Sequence, residues 1–530
     1  ATKSEMSKTV ILFRGSCYTD ESQNVILPPI TLISLAPMIS PCHSIILDGN
    51  VKSEEDCFLE IKESLGSTLC VGISAITGPE IASGLRFAAL IRDAAPQIPI
   101  VWGGWHVSCL PDESIHNQYV DALVIGPGQM AFTEIIKRIS NGEAFDNIEG
   151  VMTEANQGQT ITTSKTGRFN LDNCPLPAFD MLDLELYRRE SLAILPYPEI
   201  NGLKLTGYLY YVTSFGCPFS CTFCSNNLVY KHRWYGYSVD AVLDHLGWLV
   251  TEKGFNCIAI IDAEFFFKND RIEYFCDGIV KRGYKFVWDA QASVKSILRM
   301  AKKGLLSKLR KAGCWRMNIG AETGSREMLE YINKKISVED ILESARILKD
   351  SGITACFNLL FGLLHEKRSD LLDSFSMAYQ LKKINPDTPL PISFYTPFPG
   401  TPMYEDAVNS GFNVPSSLEE WGSYKTSYIT LSDNIPWRDV KREKLIYDVL
   451  TFYLPISVPG NLKRGTITMY KQKLEKSPYR LLLYLATRIA NYRMKNMEFR
   501  FRIEIFLYGM YCRLINKQDY RSGKSDIDDN

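Results

Sequence analysis

The sequence predicts an α/β protein in three parts: an N-terminal Rossmann-like, doubly wound parallel sheet, a central partial (β/α)6 barrel, and a C-terminal, mainly α-helical domain. Short apolar runs alternate with helical segments through roughly the first 400 of 530 residues, which is typical of parallel sheets covered by helices. The alternation then stops and the remaining chain is mostly helical in pattern. We expect the three domains at residues 1–147, 206–404 and 405–530, with a linker at 148–205.

Five strands are predicted in the N-terminal part, because each segment is a run of aliphatic and β-branched residues. They cover residues 9–13, 44–47, 69–76, 98–102 and 122–125, with helices at 79–94 and 132–139. Ligands of doubly wound sheets bind at the carboxyl ends of the strands. Residues 74–78, 103–106 and 126–128 lie at those ends, and their glycines let backbone N–H groups approach a flat or anionic ligand.

Six strand–helix steps follow in the middle of the chain. The strands are predicted at residues 208–213, 258–262, 285–288, 316–320, 355–361 and 392–395. The helices are predicted at 239–252, 271–282, 297–312, 338–350 and 369–384. Six repeats of this unit favour an open barrel over the closed eightfold form, with chemistry at the carboxyl ends of its strands.

The linker and the C-terminal part give weaker signals. A hairpin is predicted at residues 154–167, and Pro175 and Pro177 interrupt the segment that follows. Helices at 479–492 and 499–514 mix aromatic, aliphatic and Arg residues, and residues 461–520 hold 13 Lys or Arg against 4 Asp or Glu. These helices either pack on the barrel and close its active site, or present a basic amphipathic face to a membrane surface or an acidic or lipid substrate.

Composition excludes several classes of function. A net charge of −1 gives no general attraction to nucleic acid, and no apolar run is long enough for a transmembrane helix. The first residues lack the apolar core of a signal peptide. The 14 cysteines are therefore expected to be reduced thiols in the cytoplasm.

Three of these cysteines, Cys217, Cys221 and Cys224, form a CxxxCxxC motif directly after the first barrel strand. Soft thiolates at this spacing suit an iron–sulfur cluster, and three ligands leave one of four irons open to a small molecule. Gly216 and Pro218 favour a tight loop there. The alternative is a structural zinc site, which needs a fourth ligand, and His232 is the nearest His.

With Phe223 before its last cysteine, the motif resembles the CxxxCΦxC signature of the radical S-adenosylmethionine (SAM) superfamily, over roughly residues 208–404. The resemblance implies a 4Fe-4S cluster whose open iron is chelated by the amino and carboxylate groups of SAM. NIGAETGS at 318–325 resembles the element that places Glu322 at the SAM ribose. IIDAEFF at 260–266 resembles a strand end that places Asp262 or Glu264 at the SAM ammonium, with Ala263 replacing a second acid.

Two further elements carry the same resemblance. FNLLFGLLHE at 357–366 is similar to the apolar strand beside the SAM adenine, where Gly362 allows close approach, and PFPGTPMY at 397–404 is similar to the element that ends the barrel. Phe223 belongs to the implied SAM site, whereas Ser293 more simply begins a turn. No catalytic residue is assigned from the sequence.

The first domain resembles the cobalamin-binding domain of cobalamin-dependent radical SAM enzymes, through GGWHVSCLPDE at 103–113 and VIGPGQMAF at 124–132. Pro127 and Gln129 stand where the family usually has acids. The chain has no DxHxxG motif, so no protein His is expected below the cobalt and the lower face should be apolar or water-filled. The implied cobalamin-binding residues are Ser74, Thr77, Gly103, Gly104, His106, Gly126 and Gly128.

The resemblance implies reductive cleavage of SAM to a 5′-deoxyadenosyl radical, with a methyl group delivered from methylcobalamin to an unactivated carbon. The leading hypothesis is therefore a cobalamin-dependent radical SAM methyltransferase. The alternatives are a non-methylating member, such as an oxidative cyclase or ring-contraction enzyme, and a cofactor-binding redox sensor. The expected partners are a small-molecule, natural-product or tetrapyrrole substrate and an external electron donor of the flavodoxin or ferredoxin type.

Overall fold

The computed structural model describes residues 8–17, 27–157, 171–194, 197–424, 435–458 and 480–505. It contains two six-stranded sheets, and the second is curled into a half-barrel. Both sheets alternate with helices along the chain, and helices follow the barrel. The predicted α/β fold class is confirmed, whereas the domain boundaries at 147, 205 and 404 stay predictions.

The N-terminal sheet has the spatial order β2-β1-β3-β4-β5-β6, and β6 alone pairs antiparallel within it. Its strands are β1 (Thr9–Arg14), β2 (His43–Asp48), β3 (Thr68–Ser74), β4 (Ile100–Gly103), β5 (Ala122–Val124) and β6 (Val151–Met152). β1 is almost continuously buried, as expected where helices cover both faces of a parallel sheet. The strand order reverses between β1 and β3, which opens a crevice at the carboxyl ends.

Six helices accompany this sheet. They are α1 (Ile30–Leu35), α2 (Glu54–Ile61), α3 (Pro79–Ala94), α4 (Trp105–Cys109), α5 (Pro111–Ser114) and α6 (Gly128–Asn141). The predicted helix at 132–139 therefore begins earlier than expected, at Gly128 directly after Pro127, a residue whose fixed φ suits a helix start. The antiparallel strand β6 was not predicted, because two residues leave no periodicity to read.

The described part of the linker contains the α-helix α7 (Leu184–Ile194) and a short hairpin of β7 (Glu199–Ile200) and β8 (Leu203–Lys204). The Tyr187 hydroxyl in α7 donates to Asp48 at the end of β2 (2.8 Å), and the α7 residue Ser191 donates to the carbonyl of Tyr208 (2.7 Å). The linker thus packs on both sheets. The predicted hairpin at 154–167 begins as a 3-10 turn at Glu154–Asn156, and most of it lies outside the described residues.

The half-barrel sheet is wholly parallel, with the spatial order β16-β15-β14-β13-β12-β9. Its strands are β9 (Tyr208–Tyr211), β12 (Cys257–Ile260), β13 (Val287–Ala292), β14 (Cys314–Glu322), β15 (Thr354–Phe361) and β16 (Ile392–Phe394), and a separate hairpin pairs β10 (Ser214–Gly216) with β11 (Trp234–Gly236). The six predicted strands are all present. The strand predicted at 285–288 extends instead to Ala292, because Ser293 ends it by capping the next helix.

Eight helices belong to the barrel. They are α8 (Asn226–Tyr230), α9 (Val239–Thr251), α10 (Asn269–Arg282), α11 (Val294–Lys302), α12 (Leu306–Lys311), α13 (Arg326–Tyr331), α14 (Val338–Asp350) and α15 (Arg368–Ile384). The single helix predicted at 297–312 is two, α11 and α12. Gly304 lies between them at a φ of +69°, a left-handed conformation that ends a helix.

The C-terminal part is helical where the structure describes it. Its helices are α16 (Pro402–Asn409), α17 (Leu418–Gly422), α18 (Val440–Tyr447), α19 (Leu454–Ser457) and α20 (Arg480–Asn496), and a π-helical turn at Asp448–Tyr453 joins α18 to α19. The predicted helix at 479–492 is α20, whereas residues 506–514 of the other predicted helix lie outside the described residues. None of the described helices has the length and apolar character needed to span a membrane.

Helix α20 has two different faces. Ala490 and Met494 are fully buried, and Phe499 just beyond the helix packs edge-on against Phe375 of α15 at 5.7 Å between ring centroids. The opposite face exposes 56% of Tyr484 and 63% of Tyr492. Packing on the barrel therefore accounts for one face of α20 only.

Candidate functional site

The cysteine motif begins directly after β10, the first strand of the β10–β11 hairpin, and precedes β11. Gly216 has a φ of +81°, and a Cβ there would lie 2.1 Å from the carbonyl oxygen of Arg233 on the opposite strand. Only glycine fits this close approach. The chain consequently leaves the hairpin at Cys217 and crosses the open end of the half-barrel.

Thr222, in the middle of the motif, fixes the loop to two other segments. Its backbone N–H donates to the carbonyl of Ile332 (3.1 Å), and its hydroxyl donates to the carbonyl of Tyr331 (3.1 Å). Its own carbonyl accepts from the N–H of Met403, at the start of α16 (3.2 Å). The loop is held by backbone contacts from both sides, which is the support a cofactor site needs.

The three cysteines line one wall of a cavity over the carboxyl ends of the barrel strands. The other polar lining residues come from the start of α8, from four strand ends, from the start of α11 and from the loop after α13. They are Asn226, Asn227, Glu264, Gln291, Ser293, Lys295, Glu322, Lys334 and Asn358. The amide oxygens of Asn226 and Asn227 have no hydrogen-bond partner among the described residues, so the cavity offers polar atoms for a ligand.

The thiols fit a cluster better than a single ion. Within the described ranges, no three His, Cys, Asp or Glu side chains are grouped to hold one metal ion. A structural zinc would need four such donors around one point. A cuboidal cluster takes one thiolate at each of several separate irons, which suits three cysteines spread along one wall.

Burial affects the protonation of these thiols. It raises the pKa of Cys217 to about 12, and it raises the pKa values of Cys221 and Cys224 as well, although the Lys334 ammonium partly opposes this. Metal binding must then displace the protons, because thiolates are the ligand form. The 13 described cysteines are all free of disulfides, which leaves the three motif thiols available.

Glu322 is the last residue of β14 and is held in an unusual conformation. Its φ is +65°, at an irregularity in the pairing of β14 with β15, and its Oε1 accepts from Lys334 Nζ at 2.7 Å. Burial alone would lower the pKa of Lys334, but the Glu322 charge raises it on balance. A Cβ at Gly320 would lie 2.3 Å from Glu322 Oε1, so a larger residue there would displace the end of this side chain. Strain of this kind clusters at functional sites.

The two acids after β12 have different environments. Glu264 lines the cavity, is 2% exposed and accepts from Ser296 Oγ (3.0 Å); burial raises the pKa of Glu264 to about 7. Asp262 does not line the cavity. Its carboxylate instead accepts from Thr213 N and Oγ1 (2.6 Å each) and from Ser214 Oγ (2.5 Å). Of the two candidates for the SAM ammonium, the structure therefore brings only Glu264 to the cavity.

Phe223 and Gly362 also differ in position. Phe223 lines the cavity, with Lys334 Nζ 5.9 Å from its ring centre. Gly362 does not line it; Gly362 has a φ of +70°, and its N–H donates to Glu366 Oε2 (3.1 Å). The Gly362 carbonyl accepts from Trp437 Nε1 (3.0 Å), which ties this turn to the C-terminal part.

A second cavity lies at the carboxyl ends of β1, β3, β4 and β5. Five of the seven residues predicted for cobalamin line it, namely Ser74, Gly103, Gly104, Gly126 and Gly128. Most of its other walls are apolar, and no histidine is among the described residues that line it. The absence of a protein His below the cobalt stays a prediction.

Two features of this cavity's wall concern its backbone and its polar atoms. A Cβ at Gly104, which has a φ of +107°, would lie 2.5 Å from the carbonyl oxygen of Ala75, so the chain can only turn here with glycine. The side-chain oxygen of Gln129 is buried in the cavity wall without a hydrogen-bond partner among the described residues. A bound ligand with polar edges would satisfy it.

Thr77 and His106 are not brought to this cavity. Thr77 Oγ1 lies 3.0 Å from His106 Nδ1, and the His106 ring lies 5.4 Å from that of Trp421 in α17. His106 is 1% exposed, and burial lowers its pKa to about 4, so the ring is neutral at ordinary pH. The contacts of His106 join the N-terminal sheet to the C-terminal part.

Helix α8 separates the two cavities. Its first residues, Asn226 and Asn227, line the cysteine cavity, whereas Val229 and Tyr230 line the glycine cavity. Five residues of α-helix extend only about 7.5 Å. The two cavities therefore share this short helix as a common wall.

Lys334, Gln291, Asn227 and Asn358 were missed by the sequence reasoning. Lys334 follows α13 in a polar stretch that resembles any surface loop, and only the fold brings it to Glu322. Alternation along the strands was the available signal for Gln291 and Asn358, because both occupy partly exposed positions between buried ones.

Two family descriptions match the chain. The radical SAM superfamily matches residues 211–378, and the B12 binding domain matches residues 25–136. Together they cover just over half of the chain; the first contains every lining residue of the cysteine cavity, and the second contains most of those of the glycine cavity. The resemblance seen in the motifs is confirmed, and with it the cofactor set of 4Fe-4S cluster, SAM and cobalamin.

Individual proteins are similar along most of the chain. An uncharacterized methyltransferase of Pyrococcus horikoshii is 26% identical over 403 residues, covering 75% of this chain and 82% of that protein. The anaerobic magnesium-protoporphyrin IX monomethyl ester cyclase of Rubrivivax gelatinosus is 25% identical, covering 63% of this chain and 58% of that protein. The chain thus matches a little more than half of the cyclase's length.

A solved structure shares the fold. The cobalamin-dependent S-adenosylmethionine radical enzyme OxsB, with aqua-cobalamin and S-adenosylmethionine bound, superimposes with a TM-score of 0.68. The match covers 96% of this chain and 75% of that one at 17% identity. This likeness shows the common arrangement of sheet, half-barrel and helices.

Proposed function

The chain belongs to the cobalamin-dependent radical SAM enzymes, and from this premise we propose that it is a methyltransferase acting on an unactivated carbon. The observation that carries the proposal is helix α8, which presents residues to both cavities. Radical formation and methyl delivery must reach the same substrate atom, and near-attack contact requires about 3–3.5 Å between reacting atoms. Two cofactor cavities on either side of one short helix meet that requirement.

In the cysteine cavity, Cys217, Cys221 and Cys224 would hold the cluster, and Glu322, paired with Lys334, would accept from the SAM ribose. Glu264 would receive the SAM ammonium, and Phe223 would cover one side. When bound, this pair of groups supplies a carbon radical able to take hydrogen from a C–H bond. The chain itself contributes binding, orientation and exclusion of water.

In the glycine cavity, backbone N–H groups near Gly103, Gly104, Gly126 and Gly128 would approach the cobalamin edge, with Ser74 and Gln129 as polar contacts. Bound cobalamin supplies a transferable methyl group. Thr77, His106, Asp262 and Gly362 lie outside both cavities, and we propose that they support the walls rather than contact the cofactors.

The non-methylating alternative keeps one specific observation in its favour, the similarity to a cyclase over 63% of the chain. Both functions need the same two cavities. The redox-sensor alternative is disfavoured, because a strained, ion-paired Glu322 in a cavity that fits SAM is the arrangement of a working site.

The partners follow from this assignment. We propose a small-molecule substrate, an external electron donor of the flavodoxin or ferredoxin type, and the cytoplasm as the compartment. The exposed Tyr484 and Tyr492 on α20, with Arg488 between them along the helix, offer a site for peripheral membrane contact. A natural product or a tetrapyrrole remains the candidate substrate class.

The test needs no knowledge of the substrate. Enzyme reconstituted with iron, sulfide and hydroxocobalamin is incubated with SAM and a low-potential reductant, and the SAM products are quantified. A methyltransferase forms S-adenosylhomocysteine in proportion to bound cobalamin, in addition to 5′-deoxyadenosine. Formation of 5′-deoxyadenosine without S-adenosylhomocysteine would contradict methyl transfer and favour the non-methylating alternative.

A further inference from the structure

The concave face of the half-barrel is polar and open to solvent along β14. Every second residue of this strand is partly exposed, whereas Met317, Ile319 and Ala321 between them are fully buried. The partly exposed residues are Arg316, Asn318, Gly320 and Glu322. Gly320 and Glu322 line the cysteine cavity, and Asn318 and Arg316 lie on the same face of the strand below it.

Further from the cysteine cavity, toward the amino ends of the strands, neighbouring strands place a row of residues side by side on the barrel wall. The strand registers place Tyr210 beside Ala259, Ala259 beside Asp289, and Asp289 beside Arg316. Ala259 is small, so Tyr210 reaches toward Asp289 across it. Below this level, Tyr208, Cys257, Val287 and Trp315 form an apolar cluster with the hairpin residue Ile200, which closes the barrel.

Asp289 orients the row but is not accessible to a ligand. Its side chain is 3% exposed and accepts from Arg316 Nη2 (3.2 Å) and Asn318 Nδ2 (2.8 Å). Arg316 is different, because 21% of its side chain is exposed. Its guanidinium stacks on Trp315 at 4.5 Å, and its buried Nε has no hydrogen-bond partner among the described residues.

A guanidinium held this way keeps N–H donors that are not used within the protein. Arg presents five N–H donors in a planar fork, and Asp289 uses the Nη2 end. A buried donor without a partner costs free energy, and a buried ion pair stabilises a fold little compared with apolar packing. Asp289 and Arg316 lie directly above the apolar cluster that closes the barrel. The presence of this ion pair is therefore better explained by ligand binding than by a contribution to fold stability.

We propose that Arg316 binds a carboxylate of the substrate at the floor of the half-barrel lumen, with Asp289 and Asn318 as positioning residues. A planar carboxylate matches the free edge of the guanidinium. A phosphate dianion is disfavoured, because the Asp289 carboxylate lies beside the same guanidinium. The proposal rests on the proposed function only in taking the lumen as the substrate site.

The position of Arg316 also constrains the shape of the substrate. Arg316 and Gly320 are four residues apart on one strand, which corresponds to about 13 Å. A carboxylate on Arg316 therefore belongs to an elongated molecule whose reacting carbon is remote from its acid group. Compact metabolites with a carboxylate next to the reacting carbon are excluded by this length.

The experiment compares a small acid with its neutral counterpart. Binding of 3-phenylpropionate and of 3-phenylpropionamide to the reconstituted enzyme with SAM is measured by saturation-transfer NMR in the millimolar range. We expect the acid to bind at least about tenfold more tightly than the amide, since a charge-assisted pair is lost with the amide. Arg316→Gln should abolish this preference, whereas Arg346→Gln, at an exposed surface pair, should keep it.

Folding of each variant is checked by its iron content and by its thermal unfolding midpoint. If Arg316→Gln loses its iron, Arg316→Lys is used instead, which keeps the charge but not the fork and should weaken acid binding. Equal binding of acid and amide, no binding of either, or an unchanged preference in the Arg316 variants would overturn the proposal. None of these outcomes affects S-adenosylhomocysteine formation, so failure of the carboxylate site is distinguishable from failure of methyl transfer.

Discussion

At the scale of single residues, the three motif cysteines are expected to bind the cluster on which turnover depends. Substituting Cys221 with Ala removes one of three ligands from the cavity wall, and we expect iron to fall well below its wild-type content and 5′-deoxyadenosine formation to stop. Iron analysis and product quantification after anaerobic reconstitution measure both. Cys276→Ala is the matched control, because Cys276 is a buried thiol on α10 away from the cavity. Retained turnover in the Cys221 variant would contradict the radical assignment.

A second residue gives a pH prediction. Burial raises the pKa of Glu366 to about 8 from an ordinary value of 4.5. Between pH 4.5 and about 8, Glu366 is therefore protonated in the folded protein and ionised in the unfolded chain. The free energy of unfolding consequently falls as pH rises through this window, and it levels off above it.

Glu366→Gln removes the titrating proton and should keep the hydrogen bond from the Gly362 N–H. The variant should therefore gain stability over the wild type as pH rises, by up to about 4 kcal/mol between pH 5 and pH 9. Thermal unfolding midpoints at the two pH values measure the difference. Glu327→Gln, at an exposed pair with Lys367, should show no such trend. A gap that is constant with pH would refute the assignment to Glu366.

At the scale of elements, the β10–β11 hairpin determines where the cysteine loop begins. Gly216→Ala places a Cβ against the Arg233 carbonyl at 2.1 Å, and we expect loss of bound iron together with a lower unfolding temperature. Gly283→Ala is the control, since Gly283 also has a positive φ (+69°) but open space around it. It should cost about 1–2 kcal/mol for the left-handed conformation and keep its iron. Normal iron content in the Gly216 variant would show that the hairpin does not set the loop.

Most strands could be predicted because both sheets are covered by helices. Runs such as residues 9–13 and 355–361 are nearly continuous in apolar residues, which identifies buried strands without a structure. Elements without such a signal were missed. β6 is two residues long, α7 lies in a segment interpreted as a linker, and Gly304 divides a helix that the apolar pattern alone joins.

Cavity-lining residues could be predicted where they belong to a short sequence motif. They could not be predicted where the fold brings distant segments together. The cysteines, Glu264, Glu322 and the glycines at the strand ends line the two cavities, and their binding roles stay predictions. Asp262 and His106 do not, because each is taken up by partners from other segments, Thr213 for the former and Thr77 for the latter. Hydrogen bonds of this kind leave no mark in the sequence around either residue.

At the scale of the whole molecule, the account requires both cavities to be occupied on one chain. Gly103→Phe fills the glycine cavity without backbone strain, because a Cβ there meets only Val124, at 3.8 Å or more. We expect cobalt to be lost while iron and substrate-independent 5′-deoxyadenosine formation remain, and S-adenosylhomocysteine formation to stop. Met130→Phe, at a 60% exposed position of α6, should keep both metals. Normal cobalt content in the Gly103 variant would place cobalamin elsewhere.

The most direct test of the central claim is the metal content of the whole protein after anaerobic reconstitution with iron, sulfide and hydroxocobalamin, followed by desalting. The account predicts about four irons and one cobalt per chain, with the absorbance of both groups. Four irons without cobalt would leave the radical half of the enzyme but contradict a methyltransferase that uses the two cavities on either side of α8.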